Sequence, residues 1–456
     1  HWGYMTANYF APEPRYATEQ SHEDGDWIGS DGRQVMELRS MIEGFHNAGL
    51  AVIVDVVFNH LAQYGQTPLR QVDPCYSLRV KGSGTNRGES GCGNDFRTEA
   101  PMNRRLIVDS LKHWVRFHGV DGFRFDLAGL IDGQTLNVIT SELRRELPGI
   151  LLIAEPWGMK YDHSRFSRRG WGAWNDLFRN GIRGIDPHTG KSFIFGTWGP
   201  GNNDHTFVRH VTGTLRADGG PYHDEGHAVN YLSCHDGYTL GDSVRIALGR
   251  ITHDQPTDVE ACMDFTEEEL RTLRLAWFIL LTSRGAVMFH AGDEWARAKV
   301  IRGSDEKDPS TGLLDHNSYE KDDPTNWLNW KQLSLEPCRG LREYVRALIH
   351  LRNSRLALRH ARRDNIRMLR GSNPFGIGYE LHTPREHYIV LFNSNPRQEA
   401  KFTIPPGEWV ALADENGIHE ATGGENLPEK LTVSVPPVTG MLLERKDGPS
   451  RSTGSV

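Results

Sequence analysis

The feature that most constrains the fold is a repeated alternation of short apolar runs with helical patterns over the first 360 residues or so. The run GLAVIVDVVFNH, at 49–60, is rich in β-branched residues, a pattern typical of a parallel strand covered on both faces. Helical patterns separate it from further apolar runs at 119–129, 149–158, 173–178, 228–237 and 286–292. This order predicts a parallel sheet with right-handed crossovers, either doubly wound or closed into a (β/α) barrel.

Two of the predicted helices have clear boundary signals. Pro101 lies where one helix begins and Gly119 where it ends, and Thr266 with Glu269 forms a capping box at the start of another. Apolar spacing predicts four more helices, at 35–47, 136–147, 204–215 and 341–355.

The pattern changes near residue 360. From there the apolar segments, among them FGIGYELHT, HYIVLFNS and KLTVSV, read as strands separated by Gly, Pro and Asn turns. We therefore predict two domains: a parallel α/β domain at 1–360, and an antiparallel β-sandwich at 361–456 that ends in a flexible tail.

Charged side chains follow several of the predicted parallel strands. Asp126, Glu155 and Asp236 come after three different strands, and in a barrel the carboxyl ends of the strands converge on one pocket. Arg124 lies two residues before Asp126, so the two side chains share a face of their strand. An arginine favours the ionised form of a neighbouring carboxylate, although a purely structural ion pair is the alternative when this pair is taken alone.

Carboxylates in this arrangement suit glycoside hydrolysis. The reaction needs an ionised carboxylate as nucleophile and a protonated carboxyl that donates to the leaving oxygen. Asp126 beside Arg124 fits the first role. Glu155 lies between Ala154 and Pro156, and an apolar setting would favour the protonated form that the acid requires.

Four segments, in this order, resemble the signature regions of the α-amylase superfamily, glycoside hydrolase family 13: DVVFNH, GFRFDLAG, IAEPWG and NYLSCHD. The resemblance extends from the first residue to about 360 and implies a (β/α)8 TIM barrel, and the tail resembles the family's C-terminal β-sandwich. It implies that Asp126 is the nucleophile and Glu155 the general acid and base. Asp236 would then orient and strain the sugar ring.

The same resemblance implies the substrate contacts. Arg124 would support the nucleophile, while His60 and His235 would contact hydroxyls of the sugar being cleaved. Tyr4, in HWGY, matches the tyrosine that stacks under that sugar. Four tryptophans in loop-like segments are candidates either for stacking on sugars or for core positions: Trp2, Trp157, Trp171 and Trp198.

The start of the chain departs from the family pattern. The segment HWGYMTANYFAPEPRYA matches the loop after the second barrel strand, so we expect the first strand, its helix and the second strand to be missing. An incomplete barrel exposes two strand edges. We therefore expect this chain alone to be poorly stable or inactive unless the missing piece comes from elsewhere.

Three segments outside the four signature regions indicate which glycosidic linkage the enzyme cleaves. HWGYMTANYFAPEPRYA, SGCGNDFRTEAPMNRR and HNSYEKDDPTNWLNW resemble pullulanases, isoamylases and glycogen-debranching enzymes, and in the last of these Asn317, Asp323 and Asn326 would contact the sugar. Loops at the mouth of a barrel decide which glucan shape enters. The resemblance thus implies retaining hydrolysis of α-1,6 branch linkages in glycogen, amylopectin or pullulan. An α-1,4-acting amylase, a transglycosylase and a non-catalytic glucan-binding homologue remain as alternatives.

Charge and cysteine content limit the other partners. The net charge of −7 is spread out, with no Lys/Arg block and no apolar run of membrane length, so we expect a branched α-glucan as partner and neither nucleic acid nor membrane. The five cysteines lack CxxC spacing, so no disulfide framework, no zinc site and no cofactor is expected. Asn59 matches a position that binds calcium in many α-amylases, which leaves calcium open. Without a disulfide framework we expect a reducing compartment, which favours the cytoplasm as the location of the protein. Secretion of the protein remains an alternative.

Overall fold

The computed structural model describes residues 2–18, 31–62, 68–82, 84–158, 161–252, 254–302, 310–319, 321, 323–419, 426–427 and 432–446. The predicted flexible tail lies largely outside the described residues. Contacts divide the chain into a first unit, residues 3–174, and a second unit, residues 175–456 together with the first two. The domain boundary near residue 360 stays a prediction.

The first unit is built on parallel strands that pair in chain order: β1 (Ile53–Val56), β2 (Gly122–Phe125), β3 (Leu151–Ala154) and β4 (Gly172–Asn175, whose last residue belongs to the second unit). Asp55 pairs with Arg124, which in turn pairs with Ile153. Because side chains in register on adjacent parallel strands share a face, this pairing places Asp55 beside Arg124.

The prediction that the run at 49–60 is a strand covered on both faces is wrong. The strand extends only over Ile53–Val56, and the side chains of Ile53 and Asp55 are 37% and 40% exposed, whereas every residue of β2 is buried. Within the described part of the chain β1 pairs with β2 alone, so nothing there covers its other edge.

The helices of the first unit largely follow the predicted signals. Pro101 begins α4, which continues as a wider π-helical turn over Trp114–His118 and ends at Gly119 with φ of 79°. Glycine suits this left-handed end because it has no Cβ. The helices of this unit are α1 (Arg33–Asn47), α2 (Pro68–Val72), α3 (Pro74–Ser77), α4 (Pro101–His113), α5 (Gly133–Glu146) and α6 (Ser164–Ser167).

The second unit contains a parallel pair of strands, β5 (Ala228–Asn230) and β6 (Ala286–Val287). The capping box of Thr266 and Glu269 is present at the start of α10, as predicted. The predicted strand at 173–178 is wrong in its second half, because the Asn175 side chain accepts a hydrogen bond from a backbone N–H and caps a helix. The helices here are α7 (Asp176–Ile182), α8 (Asp204–Val211), α9 (Leu240–Ala247), α10 (Glu267–Thr282), α11 (Glu336–Ser354) and α12 (Leu356–His360).

Two antiparallel sheets complete the second unit. The larger has the order β12-β11-β15-β9-β8-β7, with β13 also paired to β11, and the smaller pairs β10 with β14. Side chains of both sheets, among them Leu391, Phe402 and Val433, form one buried apolar cluster, which is the arrangement of a sandwich. The strands are β7 (Ile366–Arg370), β8 (Gly376–His382), β9 (His387–Asn393), β10 (Ala400–Thr403), β11 (Trp409–Asp414), β12 (Gly417–Ile418), β13 (Asn426–Leu427), β14 (Thr432–Val435) and β15 (Thr439–Arg445).

The larger sheet packs on helix α10. Gly440 of β15 lies so close to Phe278 of α10 that a Cβ at Gly440 would meet the phenyl ring at 2.0 Å. The hydroxyl of Tyr379, on β8, donates a hydrogen bond to the carbonyl of Thr282 at the end of the same helix, 2.5 Å away. Among the described helices, none combines the length and apolar character needed to cross a membrane.

Candidate active site

The carboxyl end of β2 turns sharply just after Asp126. Leu127 has φ of 37° and ψ of 46°, a left-handed conformation that is uncommon for a residue with a Cβ. In this conformation its backbone N–H donates a hydrogen bond to Glu155 Oε2, 2.7 Å away. The turn that follows the predicted nucleophile therefore also holds the predicted acid.

One guanidinium joins three carboxylates in the first unit. Arg124 Nη1 lies 2.8 Å from Asp55 Oδ1 and 2.9 Å from Asp126 Oδ1, and Nη2 lies 3.0 Å from Glu155 Oε2. The arginine is only 5% exposed. Burial by itself lowers the pKa of Arg124, but the surrounding carboxylates, Glu155 first, raise it well above its usual value, so the side chain stays a cation.

Two aromatic rings hold this guanidinium in place. Trp174 lies with its ring centre 4.3 Å from Arg124 Cζ, a cation–π contact. The Tyr4 hydroxyl donates to Asp55 Oδ2 over 2.7 Å and accepts from Arg124 over 3.3 Å. Burial raises the pKa of Tyr4, so the phenol keeps its proton. Asp55 is thus a partner of both Tyr4 and Arg124.

Asn59 is a site residue that the sequence analysis connected only with calcium. Its Nδ2 donates to Asp126 Oδ2 over 2.7 Å, and its Oδ1 lies 2.5 Å from Nδ1 of His60. Both ends of the side-chain amide are therefore used within the site, and the sequence analysis, which expects no metal, leaves calcium open there. Burial lowers the pKa of His60, which keeps its imidazole neutral. The available signal was positional, because Asn59 follows β1 as Asp126 follows β2.

The surroundings of Glu155 are only partly those expected. The residue is 3% exposed, as a buried acid would be, but it contacts the Arg124 guanidinium and the Leu127 N–H. A cation and a hydrogen-bond donor both favour the carboxylate form, whereas burial favours the protonated form. Its use as the proton donor stays a prediction.

The second unit carries the third predicted carboxylate. His235 Nε2 lies 3.5 Å from Oδ1 of Asp236, whose side chain is 61% exposed. The ammonium of Lys299, a fully buried residue, donates to the backbone carbonyl of His235 over 3.2 Å and so fixes this segment. Trp2 packs edge-on against His235, with ring centres 5.6 Å apart. Sequence reasoning missed Lys299, which belongs to no motif.

The predicted sugar-contacting loop is held by its own polar groups. Asn317 is exposed, while Asp323 Oδ1 accepts a hydrogen bond from the N–H of Thr325 over 2.7 Å. The side-chain amide of Asn326 donates to two backbone carbonyls, 2.7 and 2.8 Å away. The amide nitrogen of Asn326 thus shapes the loop, and the sugar contacts of Asn317 and Asp323 stay predictions.

Burial separates the tryptophan candidates. Trp171 is fully buried and its indole N–H donates to Thr140 Oγ1 over 2.8 Å, so it is a core residue. Trp198 packs against Phe375, with ring centres 5.5 Å apart. Trp157 is partly exposed and packs edge-on against another indole, so stacking on a sugar stays a prediction for it.

Comparison with known proteins gives two sets of relatives. No family model matches the chain. The chain is 29% identical over 401 residues to a pullulanase of Bacillus subtilis, covering 86% of this chain and 49% of that protein. It is 30% identical over 408 residues to an isoamylase of a Flavobacterium species, covering 79% of this chain and 48% of that protein. The chain spans about half the length of these curated relatives.

Solved structures give the same result. The pullulanase of Bacillus acidopullulyticus matches 97% of this chain and 51% of its own, with a TM-score of 0.80 and 27% identity. The pullulanase of Paenibacillus barengoltzii, in complex with maltohexaose and α-cyclodextrin, matches 97% of this chain and 65% of its own, with a TM-score of 0.80 and 29% identity. The fold is that of a partial (β/α)8 barrel with a C-terminal β domain, as predicted from sequence.

Proposed function

Since this chain belongs with the pullulanases and isoamylases of glycoside hydrolase family 13, we propose that it is a retaining hydrolase of α-1,6 branch linkages in glycogen, amylopectin or pullulan. The observation that carries the proposal is the Arg124 guanidinium, which contacts both Asp126 and Glu155 at the ends of adjacent parallel strands. Ends of barrel strands are where catalytic residues of this fold lie.

The proposed reaction has two steps. A carboxylate oxygen of Asp126 attacks the anomeric carbon of the branch chain while the proton of Glu155 passes to the glycosidic oxygen. The bond breaks, the main chain leaves with a free 6-hydroxyl, and the branch chain stays bound to Asp126. Water then gives a proton to Glu155, and its oxygen displaces Asp126 from the anomeric carbon. Two inversions leave the α configuration unchanged, and both side chains return to their starting forms.

The surrounding residues would orient the nucleophile and contact the sugar. Arg124 and Asn59 hold the two oxygens of Asp126, which orients the nucleophile. Tyr4 would stack under the sugar at the cleavage point, and His60 and His235 would contact its hydroxyls. Asp236 would orient and strain the sugar ring.

The proposed α-1,6 linkage and the proposed glucan substrate rest on the names of the relatives and on loop segments of this chain. The relatives are a pullulanase and an isoamylase, and one pullulanase was crystallised with maltohexaose, which together support a branched α-glucan as substrate. Three segments of this chain that resemble debranching enzymes lie outside the catalytic strands, where loops select the shape of the glucan. The cysteines of the described chain are free thiols, which supports a reducing compartment such as the cytoplasm.

The test is hydrolysis of three polymers by the complete enzyme, in which the missing part of the barrel is supplied: pullulan, glycogen and linear amylose. We expect maltotriose-sized products from pullulan, linear chains from glycogen and no reducing ends from amylose. Activity on amylose alone would favour an α-1,4 amylase, and longer products at constant reducing power would favour a transglycosylase. Glucan binding without any turnover would favour the non-catalytic homologue.

Retention is tested separately. Proton NMR of the first product should show the α anomer at early times, before mutarotation. A first product in the β configuration would contradict a covalent intermediate on Asp126.

A further inference from the structure

A hairpin of the larger antiparallel sheet brings two histidines and a glutamate together. β8 and β9 pair so that His382 lies directly opposite His387, at the closed end of the hairpin. Glu380 lies two residues before His382 on β8, so its side chain emerges on the same face. None of these three residues belongs to the candidate active site.

The three side chains are close enough to share a ligand. One potential ligand atom from each lies within 4.8 Å of the other two. His387 Nε2 is 2.7 Å from Glu380 Oε1, and the imidazoles of His382 and His387 stack with ring centres 4.3 Å apart and planes 9° from parallel.

We propose that Glu380, His382 and His387 form a binding site for a divalent transition metal, with Zn²⁺ as its best occupant. Two imidazoles and one carboxylate are a common set of three protein ligands for Zn²⁺, with water at the fourth position. Calcium and magnesium prefer sets made only of oxygen atoms, so the two imidazoles disfavour them. The expectation from cysteine spacing does not bear on this cluster, because the cluster contains no cysteine.

The hairpin is prepared for such a ligand set. The closing turn is fixed by the N–H of Thr383, which donates to the carbonyl of Glu386 over 2.9 Å, so the opposed histidines cannot slip in register. Trp409 packs edge-on against the His387 ring, with centres 4.9 Å apart, and holds its orientation. His382 is exposed, which gives the metal a path from solvent.

Nearby charge leaves one carboxylate oxygen for the metal. Arg367 Nε donates to Glu380 Oε2 over 2.8 Å, while Oε1 faces His387. The Arg367 side chain is 66% exposed, so water screens its repulsion of a second cation. For a metal to bind at Nε2 of His387, the proton of the neutral imidazole would have to move to Nδ1, which would leave Nε2 and Glu380 Oε1 free as ligand atoms.

The experiment is a titration of the metal-free protein with ZnCl₂, followed by calorimetry and by thermal unfolding. We expect one equivalent to bind with a rise in Tm, because a ligand of the folded state stabilises it by mass action. His382→Ala should weaken this binding at least tenfold while the variant stays folded, since the side chain is exposed. CaCl₂ and MgCl₂ should leave Tm unchanged.

Two further variants separate this site from stray histidines. Glu380→Gln keeps the size of the side chain and should also weaken binding tenfold or more, whereas His350→Ala, at an exposed position of α11, should bind as the parent does. X-ray absorption at the zinc edge should show two imidazole ligands. The same affinity and stoichiometry in His382→Ala and Glu380→Gln as in the parent would overturn the proposal, whether or not the chain hydrolyses glucans.

Discussion

The guanidinium of Arg124 lies 3.0 Å from the carboxylate of Glu155. Arg124 belongs to β2, and Glu155 follows β3, the neighbouring strand of the first unit. The strand register explains this contact: Arg124 pairs with Ile153, so the residues two further along each strand, Asp126 and Glu155, are neighbours on the same face. Adjacent strands lie roughly 4.8 Å apart. Retaining glycosidases need about 5 to 5.5 Å between their two carboxyl groups, and we expect that separation between Asp126 and Glu155.

The first prediction concerns the nucleophile. In the complete enzyme, Asp126→Asn should lower kcat on pullulan about 10³-fold or more, because the amide cannot form the covalent intermediate. Thermal unfolding should change little, since the amide oxygen still accepts from Asn59 or Arg124. The matched control is Asp109→Asn, a half-exposed carboxylate on α4 that pairs with Arg105, and it should keep full activity. Equal activity in the two variants would refute the assignment.

The second prediction concerns the cation that joins the carboxylates. Arg124→Leu leaves three neighbouring carboxylates without their shared partner, and breaking a buried ion pair costs about 3 to 5 kcal/mol. Denaturant unfolding should show a loss of this order at neutral pH. Arg105→Leu removes a cation whose side chain is 70% exposed, and it should change stability by less than about 1 kcal/mol. A similar small effect for both variants would contradict the bridging role of Arg124.

The third prediction concerns the turn after β2. A Cβ at Gly129 would lie 2.4 Å from the carbonyl oxygen of Trp157, so Gly129→Ala must push apart the segments that carry Asp126 and Glu155. Overpacking of this kind costs about 1 to 3 kcal/mol, and we expect kcat to fall together with Tm. Gly149→Ala is the control, because a Cβ there meets nothing within 4 Å. An unchanged kcat in Gly129→Ala would contradict this prediction, because it would mean that the added Cβ does not disturb the positions of Asp126 and Glu155.

The fourth prediction concerns pH and a buried acid of the second unit. Burial raises the pKa of Asp293 from 3.8 to about 6, against opposing hydrogen bonds from the Ser233 hydroxyl and the Leu240 N–H. A carboxyl whose pKa is raised by folding stabilises the folded state fully below its unfolded pKa, and that stabilisation is lost as pH rises through the folded pKa. The shift corresponds to about 3 kcal/mol.

Asp293→Asn removes this titration while keeping an oxygen for Leu240. The free energy of unfolding of the parent, minus that of the variant, should therefore fall by up to about 3 kcal/mol between pH 4 and pH 7. Urea unfolding at several pH values measures this difference directly. A difference that stays constant over this interval would mean that Asp293 does not change its protonation there.

Sequence pattern predicted the order of strands and helices because apolar periodicity is a local property. It could not predict the contacts of Asn59, because these depend on how β1 and β2 are aligned, and no local pattern records that alignment. Lys299 is a similar case, since its ammonium meets a carbonyl 64 residues earlier in the chain.

Element ends were less predictable than element order. The helix predicted at 204–215 ends at Val211, because Gly213, with φ of 107°, lies outside helical geometry. The strand predicted at 49–60 extends only over Ile53–Val56, the residues that pair with β2. The β-branched run continues beyond these residues, so its length does not show where pairing ends. Exposure of β1 could not be read from its apolar residues either, because it depends on what pairs with the other edge.

The contact of Gly440 with Phe278 limits how the C-terminal sheet could be exchanged. If the chain after residue 360, where the sequence pattern changes, were replaced by the sheet of another protein, that sheet would pack on α10. The residue that it places opposite Phe278 would not have been selected for this contact. Any replacement would need a residue without a side chain opposite Phe278, and a tyrosine at the place of Tyr379 to meet the helix end. The sheet and the helix have to be inherited together, so recombination between relatives should succeed only where both halves of this contact come from one parent.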